Sequence, residues 1–228
     1  MVRIFDCAVD TELLSGMRLA KLAVGREQLI VLPTDTVYGI AADAFSHKAV
    51  ANLLATKGRD EKSPPPVLIP NVFTMDALAT DIPQVARDLA KAFWPGALTM
   101  ILRAQPSLDW NLGETRGTVA LRIPDHKIAL ALLEETGPLA VSSANLTGQP
   151  AATTAAQADA YFGDKVEVYL NAGTSPKGEA STILDLTGIS ETFVDGETRV
   201  TGKIRVVRLG ALSLDKLSTI AGELIEAL

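Results

Sequence analysis

The segment Leu29-Ile30-Val31-Leu32-Pro33-Thr34-Asp35-Thr36-Val37-Tyr38-Gly39 decides the fold class. Its first four residues form a short apolar run that ends at Pro33, which predicts a buried β-strand. Polar residues follow at once, and ligands in α/β proteins gather where strands end. The hydroxyls of Thr34 and Thr36 could bind a small polar ligand, or could be satisfied within a tight turn. We expect Gly39 to let the backbone turn.

Helix and strand patterns alternate on both sides of this segment. Apolar residues three or four apart predict helices over residues 13–24, 50–54, 85–93, 128–133, 155–162 and 214–228. Thr11 and Ser46 could cap the first two of these helices, and Gly137 could end the fourth in a left-handed conformation. Apolar runs predict strands at residues 29–32, 67–69, 98–102, 118–123, 139–141, 166–170 and 181–186. The order predicts an α/β domain with a mixed sheet, and polar residues 190–202 predict a turn or hairpin.

The composition is that of a soluble globular protein. The 228 residues are 47% hydrophobic and 21% charged, with a net charge of −6, which argues against a protein that coats nucleic acid. No apolar run approaches the roughly 18 residues that span a bilayer, and no secretory signal is visible. Because Cys7 is the only cysteine and His47 and His126 are scattered, no zinc site is expected. We expect a single cytoplasmic domain over residues 1–228.

Two cations flank a glycine in Lys57-Gly58-Arg59, at the predicted end of a helix. Such cations can simply complement the helix dipole. Arginine also offers a planar fork that matches phosphate or carboxylate, and lysine offers a point charge. The residues alone leave both interpretations open.

Small polar side chains follow another predicted strand, in Ser142-Ser143-Ala144-Asn145. They could form an anion-binding pocket with backbone N–H groups, or could cap a helix. No histidine or acid lies nearby to activate a serine, so a hydrolase triad is poorly supported. A fourth polar segment covers residues 171–183. The common nucleotide-binding motifs are absent, so the residues predict only a polar cleft lined by cations.

Seven motifs occur in a fixed order between about residues 29 and 211. They are Pro-Thr-Asp-Thr-Val-Tyr-Gly at 33–39, Lys-Gly-Arg at 57–59, Trp-Pro-Gly-Ala-Leu-Thr at 94–99, Val-Ala-Leu-Arg-Ile-Pro at 119–124, Ser-Ser-Ala-Asn-Leu-Thr-Gly at 142–148, Ser-Thr-Ile-Leu-Asp at 181–185 and Arg-Leu-Gly at 208–210. In this order they resemble the YrdC-like family of threonylcarbamoyl-AMP synthases. One motif would be weak, whereas seven in order are specific.

The resemblance implies a fold and a reaction. The family has an open, twisted mixed sheet flanked by helices around a deep, positively charged cavity. Threonine and bicarbonate form a carbamate, which attacks the α-phosphate of ATP and yields threonylcarbamoyl-AMP and pyrophosphate. The product passes to a tRNA threonylcarbamoyl-transferase complex that makes N6-threonylcarbamoyladenosine at tRNA position 37. Mg²⁺ is expected to accompany ATP, and a weak direct tRNA contact is a further expectation.

The resemblance also assigns roles to residues. The reaction-centre residues of the family correspond to Lys57, Arg59, Ser143 and Asn145. The threonine contacts correspond to Thr36, Arg122, Ser143 and Ser181. The ATP contacts correspond to Arg59, Ser63, Thr118, Asn145, Thr153 and Arg208. No metal-binding residue is predicted. Preorganised cations suit this reaction, because joining a carbamate to a polyphosphate gathers negative charge.

The sequence departs from the family pattern at a few positions. Asp60 replaces a common proline, Leu68 stands where histidine is frequent, and residues 190–202 look like an insertion. The length predicts the short, bacterial-type form, with a core at about 29–211 and a C-terminal helix at about 213–228.

Two rival functions remain open. One is an RNA-binding or ribosome-assembly module without turnover, which the net charge of −6 disfavours. The other is a carbamoyl-adenylate-forming domain of hydrogenase maturation, which would use carbamoyl phosphate.

Overall fold

The computed structural model describes residues 4–226, and its helices confirm most of the helix predictions. The helices in this range are α1 Asp10–Gly25, α2 His47–Lys57, α3 Val72–Leu78, α4 Gln84–Phe93, α5 Lys127–Thr136, α6 Ala155–Phe162 and α7 Leu214–Ala221. The cap at Ser46 is confirmed, since its hydroxyl oxygen accepts a hydrogen bond from the N–H of Ala49 at 3.1 Å. The cap at Thr11 is wrong, because helix α1 already begins at Asp10 and Val9 occupies the cap position.

The strands confirm the mixed sheet. They are β1 Ile4–Asp6, β2 Ile30–Leu32, β3 Gly39–Asp43, β4 Val67–Leu68, β5 Ala79–Thr80, β6 Leu98–Ala104, β7 Thr118–Arg122, β8 Leu139–Ser143, β9 Val168–Asn171, β10 Thr182–Asp185, β11 Ser190–Val194, β12 Glu197–Thr201 and β13 Arg205–Arg208. One sheet has the order β1-β9-β2-β3-β8-β4-β7-β6-β10-β13, with β5 beside β6. Strand β2 runs parallel to β9 and antiparallel to β3. Strands β11 and β12 form the predicted hairpin.

Helices cover both faces of the sheet. Side chains alternate along a strand, so Ile30 and Leu32 pack with α1 and α5 on one face. Leu29 and Val31 pack on the other face, in a core that includes residues of α2, α4, α6 and α7. Burial on both faces explains why this segment is a continuous apolar run rather than an alternating one. The rigid sheet fixes the positions of the polar loops that follow its strands.

Several elements escape the sequence patterns, and two further predictions are wrong. The patterns do not predict β1, β3, α3, β5 or β13. Gly39 does not turn the chain but begins β3, where a Cβ would lie 2.5 Å from Cγ1 of Val141. The last helix ends at Ala221 rather than near 228, and a 3₁₀ turn, Gly222–Leu224, follows it. Leu228 lies outside the described residues.

Candidate active site

A cavity of about 170 Å³ lies where polar loops follow several strands and the end of α2. Each of the seven sequence motifs contributes to its wall, through Thr36, Arg59, Thr99, Arg122, Ser143, Ser181 and Arg208. These residues are far apart in the chain, and the sheet brings them together at the ends of its strands. A concave, polar pocket of this kind is the natural place for a small charged ligand.

One part of the wall is built on a buried ion pair. Arg122 is 6% exposed and Asp35 is 3% exposed, and Nη2 of Arg122 donates a hydrogen bond to Oδ1 of Asp35. Arg122 also donates from Nη1 to the hydroxyl of Thr36 at 3.0 Å. Burial by itself raises the pKa of Asp35, but the charges of Arg122 and Lys177 outweigh burial and hold it below its usual value. Asp35 therefore stays ionised and balances Arg122.

Arg59 and Arg208 line the same cavity, but their hydrogen-bond partners are neutral groups and not a carboxylate. Nη1 of Arg59 donates to the hydroxyl of Ser142 at 3.1 Å, and Nη2 of Arg208 donates to the carbonyl of Ser181 at 2.7 Å. Among residues 4–226, neither arginine has an acidic partner within ion-pair distance. Burial lowers the pKa of both groups, and the charges of Arg122 and Arg59 lower that of Arg208 further. An anion bound among the three guanidinium groups would relieve their repulsion.

The positive charge expected for the cavity stays a prediction, because Asp35 offsets the charge of Arg122, one of the three arginines.

Lys57 is buried behind the cavity and is 1% exposed. Its Nζ donates to the carbonyl of Ser143 and to the carbonyl of Asn145, the latter at 2.6 Å. Burial, together with the nearby charge of Arg59, lowers the pKa of Lys57 to about 7. Lys57 thus fixes the backbone of the Ser-x-Asn loop. Gly58, with φ of 66°, ends α2 in a left-handed conformation and places Arg59 beyond the helix.

Asn145 does not line the cavity, although it belongs to the same loop. Its Nδ2 donates to the carbonyls of Leu146 at 2.9 Å and Gln149 at 2.8 Å. Its Oδ1 is buried and has no hydrogen-bond partner among the described residues. A buried acceptor without a partner is costly, so a ligand that donates a hydrogen bond, or a cation, would stabilise this atom.

A second cavity of about 190 Å³ adjoins the first and shares Pro64, Pro66 and Ile183 with it. Leu112 and Thr118 also line this space. The hydroxyl of Thr118 donates to the carbonyl of Thr115 at 2.7 Å. The wall of this second cavity is largely apolar and suits a flat, weakly polar ring.

Three of the six residues assigned to ATP lie outside both cavities: Asn145, Ser63 and Thr153. Ser63 is exposed, and its N–H donates to the carbonyl of Asp60 at 3.3 Å. Thr153 lines a separate surface depression with Tyr161. The carbonyl of Thr153 accepts a hydrogen bond from the N–H of Ser175 at 2.8 Å, so its visible role is to hold a neighbouring loop.

Most of the chain matches one known protein family. Residues 23–194 match the family model Sua5_yciO_yrdC, which carries the description "Telomere recombination". The chain belongs to the Sua5/YciO/YrdC family. The matched range contains the first six of the seven motifs.

Relatives within the Sua5/YciO/YrdC family extend over nearly the whole chain. A putative threonylcarbamoyl-AMP synthase of Mycobacterium tuberculosis is 45% identical over 222 residues, which cover 97% of this chain and 96% of the relative. The threonylcarbamoyl-AMP synthase of Pyrococcus abyssi is 33% identical over 91% of this chain and 58% of its own length. The crystal structure of P. abyssi Sua5 complexed with L-threonine superposes with a TM-score of 0.85 at 30% identity, over 99% of this chain and 62% of that one.

Sequence reasoning missed several residues that line this Sua5/YciO/YrdC cavity or support its wall. Asp35 and Ser142 lie within quoted motifs, yet no role was assigned to them. Thr99 ends another motif, and its hydroxyl lies 2.8 Å from that of Ser181. A polar residue at the start of an apolar strand was the available signal for Thr99. Nothing in the sequence marks Lys177, whose contact with Asp35 spans 142 positions.

Within residues 4–226, no group of three or more His, Cys, Asp or Glu side chains is arranged to hold a metal ion. In the same range, no helix has both the length and the apolar character needed to cross a membrane.

Proposed function

We propose that this protein makes L-threonylcarbamoyl-AMP and pyrophosphate from L-threonine, bicarbonate and ATP. The observation that carries the proposal is the single cavity to which all seven motifs contribute, with three arginines in its wall. The relative named for this activity, which matches 97% of the chain at 45% identity, supports it. The product would supply a tRNA threonylcarbamoyl-transferase in the cytoplasm.

Threonine would bind beside the buried ion pair. Three of the five N–H groups of Arg122 have protein partners, which leaves two for a carboxylate. The hydroxyls of Thr36, Ser143 and Ser181 lie on the same wall and would contact the polar groups of the amino acid. Since Asp35 already balances Arg122, this arginine would orient the carboxylate rather than supply a large excess of charge.

ATP would bind toward Arg59 and Arg208. Their guanidinium groups lack acidic partners among the described residues and would contact the phosphates. The adjoining apolar cavity, with Thr118 in its wall, would receive the adenine. Ser63 and Thr153 lie outside both cavities, so we propose that they contact ATP only if their loops move.

Two bonds form in the proposed reaction. The amine of threonine attacks the carbon of bicarbonate, water leaves, and a carbamate results. A carbamate oxygen then attacks the α-phosphorus of ATP, and the bond to the β-phosphate breaks so that pyrophosphate leaves. Arg59 and Arg208 would stabilise the charge on the phosphates, and Lys57 would hold the Ser143–Asn145 backbone in position. No covalent intermediate with the protein is needed.

Mg²⁺ with ATP is part of the proposal. The buried Oδ1 of Asn145, without a partner among the described residues, fits a hard cation or a water molecule bound to it. Magnesium usually combines few protein ligands with phosphates and water, so the lack of an acidic cluster in residues 4–226 is compatible with it. When bound, the ion would supply positive charge to the triphosphate.

The test is pyrophosphate release with each substrate omitted in turn. We expect release to require threonine, bicarbonate and ATP together. Serine should replace threonine better than valine does, because a pocket built to bond a hydroxyl rejects an analogue that lacks it. Equal release with carbamoyl phosphate in place of threonine and bicarbonate would instead support the hydrogenase-maturation chemistry.

A further inference from the structure

The two oxygens of Asp35 serve different cations. Oδ1 accepts hydrogen bonds from Arg122 inside the wall and from the N–H of Asp125 at 3.0 Å. Oδ2 lies 3.2 Å from Nζ of Lys177, whose side chain is 41% exposed. One buried carboxylate therefore joins the buried arginine of the cavity wall to a half-exposed lysine, which does not itself line the cavity.

Lys177 belongs to a strap, residues 172–181, which connects β9 to β10 and contains no helix or strand. At its start, Tyr38 accepts a hydrogen bond from the N–H of Ala172 and donates one to the carbonyl of Gly173. At its end, Ser181 lines the cavity and contacts Arg208. In the middle of the strap, Lys177 makes its contact with the cavity wall through Asp35.

The three charged groups leave a surplus of one positive charge. Asp35 is a single anion, whereas Arg122 and Lys177 are two cations, so a substrate carboxylate beside Arg122 would complete the balance. Without Lys177, the pair of Arg122 and Asp35 is neutral and attracts an anion less strongly. The strap would also lose its ionic contact with the wall on which Ser181 lies.

We propose that Lys177 is a positioning residue for the amino-acid substrate, acting through Asp35 on Arg122 and on the strap that carries Ser181. This inference rests on the proposed function, because it takes the carboxylate ligand to be that of threonine. It predicts an effect on amino-acid binding and not on ATP binding or on the chemical step.

The experiment compares four proteins: wild type, Lys177→Gln, Lys177→Arg and Lys165→Gln. Lys165 is an exposed lysine of a 3₁₀ turn outside the cavity wall, so it controls for the loss of a surface charge. Initial rates of pyrophosphate release are measured against threonine and, separately, against ATP. Threonine binding is also measured by calorimetry without ATP, which does not depend on turnover.

Lys177→Gln should raise the KM and Kd for threonine about two- to fivefold, the range that a half-exposed ion pair supports. Its kcat and its KM for ATP should match those of wild type. Lys177→Arg should restore threonine binding, and added salt should weaken binding more in wild type than in Lys177→Gln.

Two results overturn the inference: threonine binding by Lys177→Gln equal to that of Lys165→Gln, or no rescue by Lys177→Arg. Both differ from a failure of the proposed function, in which wild type itself would show no threonine-dependent release of pyrophosphate.

Discussion

Arg122 and Arg59 line the same cavity, but the protein balances their charges differently. Arg122 is 6% exposed and is paired with Asp35, whereas Arg59 contacts the neutral hydroxyl of Ser142. Removing one partner of a buried pair leaves an uncompensated charge in the fold. Removing Arg59 leaves no such charge and takes away a cation available to a ligand. Breaking the Arg122–Asp35 pair should therefore lower mainly the stability of the fold, whereas removing Arg59 should lower mainly the activity.

The largest expected effect is on stability and comes from breaking the balanced pair. Asp35→Asn should lower the free energy of unfolding by about 3–5 kcal/mol, because Arg122 is then buried without its anion. Urea denaturation measures the change. Asp76→Asn is the matched control, since Asp76 pairs with Arg87 at 2.8 Å with both side chains more than 40% exposed, and it should cost less than about 1 kcal/mol.

The pairing can be checked further with Asp35→Asn combined with Arg122→Met. This double variant should regain part of the lost stability, because no buried charge remains. Equal losses for Asp35→Asn and Asp76→Asn would contradict the contrast between the two arginines.

The second effect is on activity and comes from the cation without an acidic partner. Arg59→Ala should lower the rate of pyrophosphate release by about two orders of magnitude, the scale of losing one preorganised charge contact to a reacting group. Its thermal midpoint should stay near that of wild type. Arg59→Lys keeps the charge but loses the planar fork, so it should recover only part of the rate.

Lys48→Ala provides the control for Arg59. Lys48 pairs with Glu27 on the surface and its side chain is 79% exposed, so its loss should leave the rate nearly unchanged. A folded Arg59→Ala protein with a wild-type rate would show that this arginine does not hold a substrate.

The third effect concerns Lys57, which is buried like Arg122 but is bonded to carbonyls rather than to a carboxylate. Its pKa falls from 10.5 to about 7 in the fold. Between these values the unfolded chain binds a proton that the folded protein has released, so the contribution of Lys57 to folding stability rises with pH across that window. Urea denaturation at pH values from about 6 to 9, for wild type and Lys57→Met, should show wild type gaining stability relative to the variant. Parallel curves would mean that Lys57 keeps its proton in the fold.

Several strands were predictable because a strand that is buried on both faces of the sheet consists of a continuous run of mostly apolar residues. Residues 29–32, 98–102 and 139–141 all lie in or beside observed strands. The two-residue strand β5 and the edge strand β1 are too short to carry such a pattern, and neither was predicted. Strand β4 is equally short, but the apolar residues 67–69 marked it. Gly39 was misjudged because glycine permits both turns and close approach, and only the neighbouring strand β8 distinguishes the two.

The residues of the candidate site that belong to a sequence motif were predictable. The contacts between residues distant in sequence were not. Arg59, Arg122 and Arg208 meet in one cavity as the resemblance implied. The difference between them was not visible in the sequence, because it depends on Asp35 lying beside Arg122 and not beside Arg59. Likewise, the sequence left open whether Lys57 complements a helix dipole or binds an anion, yet its side chain is buried against two backbone carbonyls. Partners distant in sequence decided each of these cases.

The fate of the bicarbonate carbon tests the proposed reaction most directly. Wild-type protein is incubated with ATP, L-threonine and isotopically labelled bicarbonate, and the adenylate is isolated and analysed by mass spectrometry. We predict that the adenylate carries the label in the carbonyl that joins the nitrogen of threonine to AMP. An unlabelled threonyl-AMP, formed by direct attack of the threonine carboxylate on ATP, would contradict the account, as would the absence of any adenylate.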